Sequence, residues 1–121
     1  MVKHYLTCLL VFIVITFSSC GPVISKSLFS VWTKDGTTNT LDLTAGKFDV
    51  FFTLLLTIVS TGEVCSIDLK FEGDESQGLL YFNNGNGTCS TLNGLIDTYT
   101  NNGATLEFCP NNYSGACETY H

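Results

Sequence analysis

Residues 47–72 carry the clearest pattern of apolar and polar positions in this sequence. From Phe48 to Ile58 the even-numbered positions are all apolar, namely Phe48, Val50, Phe52, Leu54, Leu56 and Ile58. From Cys65 to Phe71 the odd-numbered positions are apolar and the intervening ones are polar, namely Ser66, Asp68 and Lys70. A period of two in segments rich in Phe, Val, Ile and Thr predicts two β-strands that share one buried face.

We expect these strands to form a hairpin around a turn at Thr61 and Gly62, because glycine adopts the positive φ that a tight turn requires. This register pairs Phe52 with Phe71, and it makes the apolar faces of both strands coincide. Burial of about ten inward side chains stabilises the hairpin by ~2 kcal/mol each. Ordering each of its residues costs ~1.5 kcal/mol, and this total is larger, so the hairpin is not stable alone. The rest of the chain must supply a covering layer.

Shorter segments with turn signals fill the rest of the chain. The predicted strands are 27–34, 37–43, 78–82, 88–92, 95–100 and 104–109, and the predicted turns are Asp35-Gly36, Asn93-Gly94 and Asn102-Gly103. In the first hairpin a two-residue turn pairs Leu41 with Ser30, whereas a bulge pairs Leu41 with Val31. The last turn pairs Tyr99 with Leu106. With no helical pattern, the sequence predicts an all-β domain, a small antiparallel β-sandwich or closed β-barrel of about eight short strands.

The N-terminal segment has the features of a secretory signal peptide. A short apolar run ends at Phe17, and small residues follow it. The run is short for a helix that spans a bilayer, so we expect residues 1–20 to be removed and residues 21–121 to form one secreted domain. Cleavage after Ser25 is an alternative. In another alternative the segment is a bacterial lipobox, and a lipid on Cys20 anchors the protein.

Four cysteines lie in the predicted secreted domain, namely Cys65, Cys89, Cys109 and Cys117. An even number of cysteines in a small secreted chain predicts two structural disulfides. Closeness in sequence favours Cys109 with Cys117, which leaves Cys65 with Cys89, although three connectivities are possible. A zinc site is disfavoured, because the spacings contain no Cys-x-x-Cys motif.

Two short motifs concern covalent modification. Asn86-Gly87-Thr88 and Asn112-Tyr113-Ser114 are N-glycosylation sequons, and both lie in predicted loops. In a secreted chain, Asn86 and Asn112 are therefore candidate glycan acceptors, and the sequence predicts a glycoprotein.

The charge balance excludes several classes of partner. The predicted secreted domain has four lysines, eleven acidic residues and no arginine, which gives a net charge of about −7. Nucleic acids and anionic membrane surfaces bind basic proteins and repel acidic ones. We expect neither as a partner, and we expect no stable insertion into a membrane.

Catalytic and metal-binding groups are scarce. His121 is the one histidine of the predicted domain and stands at the C-terminus, where chains fray, so a Ser-His or Cys-His mechanism has no obvious base. Glu72, Asp74 and Glu75 form an acidic loop without the spacing of a calcium-binding EF-hand, and closeness in sequence is poor evidence for a glycosidase pair. We expect no catalytic residue, no cofactor and no metal site, with a carboxylate-dependent hydrolase as the remote alternative.

Two non-enzymatic functions are left. A calyx-type barrel would bind a small apolar molecule in a cavity lined by Phe48, Phe52, Leu54, Phe71 and Phe82. An interaction module would fill its interior and bind an extracellular protein through an outer face. The interaction module is favoured, because the strand-forming region is short for a spacious calyx.

The outer face of the central hairpin is the expected binding surface. Asp68, Lys70 and Glu72 follow one another on this face of the return strand, and burying unpaired charges is costly, so the face is expected to be solvent-exposed. The same face carries an apolar stripe of Phe51, Leu55, Val59 and Val64. Contiguous apolar surface of this kind marks sites that bind proteins. A loop or a glycan that covers the stripe is the alternative.

Overall fold

The computed structural model describes residues 26–58 and 61–121 of the chain. Within them lie one 3-10 helix, Gly87–Leu92, and eight strands: β1 Val31–Thr33, β2 Thr40–Asp42, β3 Phe52–Ile58, β4 Glu63–Gly73, β5 Gln77–Asn83, β6 Ile96–Asn101, β7 Leu106–Pro110 and β8 Glu118–Tyr120. The prediction of an all-β fold is confirmed. The predicted signal peptide, residues 1–20, lies outside the described residues.

Strands β3 to β8 form one curled antiparallel sheet in which each strand pairs with the next along the chain. Strands β1 and β2 form a separate hairpin. Thr33 and His121 exchange two backbone hydrogen bonds of 2.7 Å, and Lys34 forms a bridge with Tyr120, so β1 lies beside β8. This arrangement is compatible with either a sandwich or a barrel.

The central hairpin forms as predicted, but its register differs by two residues. Phe52 pairs with Leu69 and not with Phe71, and the pair nearest the turn is Ile58 with Glu63, so four residues instead of two separate the paired positions. A shift of two residues keeps every side chain on its face, so the hydrophobic alternation fits both registers equally well. The inward residues of β4 are buried in the observed register, as expected.

Strand β3 begins at Phe52, later than the pattern predicted. Asp49 has a φ of 65°, and its N–H donates a hydrogen bond of 2.8 Å to the carbonyl of Phe71. This left-handed residue interrupts the extended chain. Val50, predicted on the hidden face, is 52% exposed.

The first hairpin also has a longer turn than either predicted register allowed. Trp32 pairs with Leu41. The N–H of Lys34 donates to the carbonyl of Asn39 at 2.9 Å, so the loop between them has four residues. The Thr37 hydroxyl stabilises this loop by donating to the Lys34 carbonyl at 2.9 Å.

The predicted strand at residues 88–92 is wrong, because this segment belongs to the 3-10 helix. Asn93, with a φ of −60° and a ψ of 130°, and Gly94, with a φ of 83°, occupy the central positions of a type II turn. The predicted primed hairpin turn is therefore also wrong. Both turn types accept glycine at this position, so the dipeptide alone does not distinguish them.

Strands β6 and β7 form the predicted hairpin, again with a register shifted by two residues. Tyr99 pairs with Phe108 and not with Leu106. The side-chain oxygen of Asn102 closes the longer loop, because it accepts hydrogen bonds from the N–H groups of Ala104 and Thr105. Strand β8 follows, and the sequence pattern did not predict it.

The core lies between the inner face of the sheet and the β1–β2 hairpin. The ring of Phe71 is fully buried, and its centroid lies 5.1–6.3 Å from the ring centroids of Phe29, Phe52, Tyr99 and Phe108. Aromatic contacts of this kind contribute ~0.5–1.5 kcal/mol per pair beyond burial. The N-terminal segment adds the fully buried side chains of Leu28, Trp32 and Leu43. This segment supplies the covering layer that the central hairpin requires.

Both disulfides pair as predicted. Cys65–Cys89 joins β4 to the 3-10 helix with a Cα separation of 5.7 Å, and Cys109–Cys117 closes the loop after β7 with a Cα separation of 4.2 Å. Free cysteines are absent from residues 26–58 and 61–121. The two bridges are consistent with an extracellular protein.

Candidate interaction surface

The outer face of β3 and β4 holds Leu55 and Val64, two of the residues that were predicted to bind a partner, and Phe51 comes directly before β3. Successive residues of a strand point to opposite faces, so the neighbours of the inward β4 residues point away from the core. Leu55 is 73% exposed, Val64 is 56% exposed and Phe51 is 41% exposed. Val59 lies outside the described residues.

Leu55 and Val64 lie close together on this face. Leu55 pairs with Ser66, and Thr57 pairs with Val64, so Leu55 and Val64 are diagonal neighbours across the two strands. The Cα atoms of such neighbours are about 7–8 Å apart, which lets larger side chains meet. We call these two residues the Leu55 patch.

Phe51 belongs to a different group of side chains. The Lys70 Nζ atom lies 5.2 Å from the ring centroid of Phe51 and 4.8 Å from that of Tyr81. The Tyr81 hydroxyl donates a hydrogen bond of 2.9 Å to Glu72, and this bond is the main reason that the pKa of Tyr81 is raised. The lysine cation is thus held over two aromatic rings, an interaction that contributes ~0.5–1 kcal/mol at exposed sites.

A polar network separates Phe51 from the Leu55 patch. The Thr53 hydroxyl donates to one oxygen of Asp68 at 2.6 Å, and the Asn84 amide donates to the other oxygen at 3.0 Å. These two hydrogen bonds, the one from Thr53 first, lower the pKa of Asp68 because they stabilise its ionised form. The stripe predicted as one surface is therefore divided into two.

The two sequon asparagines make different contacts. The side-chain oxygen of Asn86 accepts a hydrogen bond of 3.0 Å from the Ser66 N–H. The oxygen of Asn112 accepts from the Ile96 N–H at 2.9 Å, and its nitrogen donates to the Gly94 carbonyl at 3.0 Å. A glycan is attached to the side-chain nitrogen of asparagine. In Asn112 this nitrogen donates the hydrogen bond to Gly94, so a glycan would be attached at an atom that holds the side chain in this conformation.

The acidic loop after β4 has structural contacts. Asp74 accepts hydrogen bonds from the hydroxyl and N–H of Ser76 and from the N–H of Gln77, and these bonds lower the pKa of Asp74. Glu75 accepts a hydrogen bond of 2.7 Å from the N–H of Leu28. These two carboxylates hold the loop and the N-terminal segment in place.

A polar cluster at the other end of the sheet was missed by sequence reasoning. The Tyr113 hydroxyl donates a hydrogen bond of 2.5 Å to Asp97, which is buried. Burial raises the pKa of Asp97; the Tyr113 hydrogen bond opposes this shift, and the charge of Glu118 adds to it. Burial is also the largest cause that raises the pKa of Tyr113 and of Tyr120, each to about 12. Asp97 takes an inward position that alternation assigns to an apolar residue, so no sequence signal marked it.

One group of possible metal ligands occurs in the described part of the chain. Glu107, Cys109 and Cys117 lie close enough together to hold an ion. Both cysteines form a disulfide, and a disulfide offers no thiolate to a metal. His121 contacts Asp35 at 2.6 Å and does not belong to this group.

Comparisons with protein-family models, with curated proteins and with solved structures found no match for this chain. Among the described residues, no helix has the length and apolar character needed to cross a membrane. A functional interpretation therefore depends on the surface chemistry of this chain alone.

Proposed function

We propose that this protein is a secreted acidic glycoprotein that acts as a non-enzymatic interaction module and binds an extracellular protein through the Leu55 patch. The observation that carries the proposal is the 73% exposure of Leu55 beside Val64, which is 56% exposed. Contiguous apolar side chains exposed on a sheet are typical of surfaces that bind proteins.

Fold stability does not account for the Leu55 patch. Alternate residues of β4, such as Ile67 and Leu69, are buried and stabilise the core, whereas Leu55 and Val64 lie on the opposite face. Burial of Leu55 and Val64 against a partner would contribute roughly 1.5–3 kcal/mol each. The flanking hydroxyl groups of Thr57 and Ser66 provide a polar rim, which is the usual surrounding of an apolar interface centre.

The packing of the interior favours an interaction module over a calyx. Phe71, which a calyx would use to line its cavity, is fully buried among four other aromatic rings. Phe48 contacts Phe29 with a centroid distance of 4.8 Å. Contacts of this kind are those of closely packed side chains, which supports a filled interior.

The contacts of the carboxylates give less support to a hydrolase. Asp97 has a raised pKa, as a general acid requires, but it is 6% exposed and bonded to Tyr113. Asp74 and Glu75 are engaged by backbone N–H groups. A substrate would have to displace these internal partners.

The proposal is tested by comparing Leu55→Ser/Val64→Ser with the control Val31→Ser. Val31 is 44% exposed and lies on β1, outside the six-stranded sheet. Immobilised wild-type protein is used to isolate a partner from extracellular fluid, and Kd values of the purified pair are then measured by biolayer interferometry. We expect the double variant to raise Kd roughly 10- to 100-fold, whereas the control variant changes Kd by less than about twofold.

Thermal melting checks that the effect is on binding. Both variants should keep the wild-type Tm, because exposed substitutions usually change stability by less than about 0.5 kcal/mol. Phe51→Ser, on the far side of the Asp68 network, should affect Kd less than the double variant does. Unchanged affinity of the double variant would contradict the proposal, and so would an equal loss in Val31→Ser.

A further inference from the structure

Strand β3 lies at the edge of the six-stranded sheet. One side of β3 pairs with β4, and within the described ranges no strand pairs with its other side. An edge strand presents unpaired N–H and C=O groups to which another strand can bind. The opposite end of the sheet differs, because the chain at the end of β8 forms backbone hydrogen bonds with the chain at the end of β1.

Strand β3 lacks the features that protect most edges from strand addition. Its sequence, Phe-Thr-Leu-Leu-Leu-Thr-Ile, contains no charge, no proline and no glycine over seven residues. Natural proteins protect edges with charged residues, prolines, bulges or very short strands. Strand β2 shows two of these features, because it has three residues and ends at Asp42.

The sequence of β3 is also self-complementary about its central residue. From Leu55 toward either end the chain reads leucine, threonine and a large apolar residue, which is Phe52 on one side and Ile58 on the other. In an antiparallel pair with a two-fold axis at Leu55, Thr53 faces Thr57 of the second copy. We propose that two copies of this chain pair through their β3 edges in this register, so that two six-stranded sheets join in a homodimer.

This register satisfies both the backbone and the two faces of the sheet. Seven paired positions form about six or eight backbone hydrogen bonds, depending on which alternate residues point toward the edge. With the two-fold axis at Leu55, residues at equal distances on either side of Leu55 face each other in the two copies. Leu54 therefore faces Leu56 of the second copy, and both side chains lie on the inner face. Leu54 and Leu56 are only half-buried in the single chain, so pairing covers more of their apolar surface.

The charge distribution makes β3 the favourable place of contact between copies. The chain has eleven acidic residues and five lysines, so two copies repel each other at most orientations. Because β3 is uncharged, contact along it places no charged residue of one β3 directly opposite another. Salt screens the remaining repulsion between the two chains, so the dimer should become more stable as ionic strength rises.

Cysteine cross-linking tests the register. In the proposed dimer Leu55 faces its own copy with a Cα separation of ~4.5–5.5 Å, which is within the range of a disulfide. Secreted Leu55→Cys protein should therefore run as a disulfide-linked dimer on non-reducing electrophoresis. Thr53→Cys is the matched control, because two copies of position 53 would lie ~13 Å apart along the paired strands. Cross-linking of Thr53→Cys instead of Leu55→Cys, or of neither, overturns the proposal.

Charge substitutions test the dimer without a covalent link. Thr53→Lys/Thr57→Lys places like charges opposite each other in two symmetric pairs, whereas Thr53→Lys/Thr57→Glu places opposite charges there. By sedimentation equilibrium we expect a dimer Kd at least about tenfold weaker for the first variant than for the second. Both variants lose the hydrogen bond from Thr53 to Asp68, so that loss cancels in the comparison.

Two further readouts complete this test. An equimolar mixture of Thr53→Lys/Thr57→Lys with Thr53→Glu/Thr57→Glu should form a heterodimer, which also shows that both variants are folded. Wild-type protein that stays monomeric at all concentrations, or equal dimer Kd values for the two charge variants, overturns the proposal. The dimer does not rest on the binding of an extracellular partner. Val64 lies on β4 and away from the outer edge of β3, so Val64→Ser should weaken partner binding and leave the dimer Kd unchanged, a result that separates the two proposals.

Discussion

The β3–β4 end and the β6–β8 end of the sheet are held by different interactions. At the first end the inward residues of β4 are apolar, and most of its outward residues are polar. At the second end, polar side chains enter the interior: Asp97 binds Tyr113, and the Asn101 amide donates to the Lys26 carbonyl at 3.0 Å. The first end is thus stabilised by burial, and the second combines burial with internal hydrogen bonds.

The two ends also differ in what they leave exposed. Polar groups at the β6–β8 end are engaged within the molecule, as when the Tyr99 hydroxyl donates to the Asp74 carbonyl at 2.7 Å. At the β3–β4 end, Leu55 and Val64 are exposed, and the outer edge of β3 has no partner strand in the part of the chain that the structure describes. The exposed apolar residues Leu55 and Val64 and the outer edge of β3 thus lie at the same end of the sheet.

The largest effect is expected from Phe71→Ala at the apolar end. This change removes a ring that contacts four other aromatic rings, and it should lower the free energy of unfolding by ~3–5 kcal/mol. Leu55→Ala on the outer face is the matched control, and its expected effect is below about 0.5 kcal/mol. Urea denaturation measures both values. A similar cost for the two substitutions would mean that the two faces do not differ in burial.

The two disulfides should contribute unequally. The bridge Cys65–Cys89 spans 24 residues and Cys109–Cys117 spans 8. In the chain-entropy model these separations correspond to roughly 3.5 and 2.5 kcal/mol. Replacing Cys65 and Cys89 by alanine should therefore lower the free energy of unfolding more than replacing Cys109 and Cys117 does. The burial of Cys65 and Cys89 adds to the difference.

Denaturation of the two double-alanine variants under identical conditions compares these costs. The wild-type protein is the common reference. A larger loss of stability on removing Cys109–Cys117 than on removing Cys65–Cys89 would contradict this order. The more important constraint would then lie at the β6–β8 end.

The smallest expected effect is a dependence on pH at Asp97. Burial raises the folded-state pKa of Asp97 above the ordinary value of 3.8, so the folded protein binds this proton more tightly than the unfolded chain does. The contribution of Asp97 to stability is then fully present below pH 3.8 and is lost as pH rises through the raised folded-state pKa. Asp97→Asn should remove this loss of stability at higher pH, because asparagine does not ionise.

Asp68 and Asp74 should show the opposite dependence of stability on pH within the same protein. Hydrogen bonds lower their folded-state pKa values, so their contribution is present above pH 3.8 and is lost as pH falls through the lowered values. The difference in unfolding free energy between Asp97→Asn and wild type isolates Asp97, and it should grow in favour of the variant as pH rises above 3.8. A difference that is independent of pH would show that burial does not perturb Asp97.

Sequence reasoning was most successful where one face of a strand is apolar. The alternation of β4 predicted which residues are buried, and the number of cysteines limited the disulfides to three connectivities, of which the favoured one is observed. The outer position of Leu55 and Val64 followed from the same alternation. Their separation from Phe51 did not, because it depends on a hydrogen bond between Thr53 and Asp68 in a register that the pattern left open.

The sequence by itself determined the faces of the strands, since alternation with a period of two specifies which side of each strand is apolar. Tertiary structure decided the registers, because a shift of two residues preserves those faces and only the loop contacts, such as those of Asn102, distinguish the alternatives. Tertiary structure also placed Asp97 inside and left β3 at an edge. Asp97 is held inside by its hydrogen bond with Tyr113, and β3 is an edge because no second strand pairs with it in the described residues. Both depend on other segments of the chain, which the alternation within one strand does not specify.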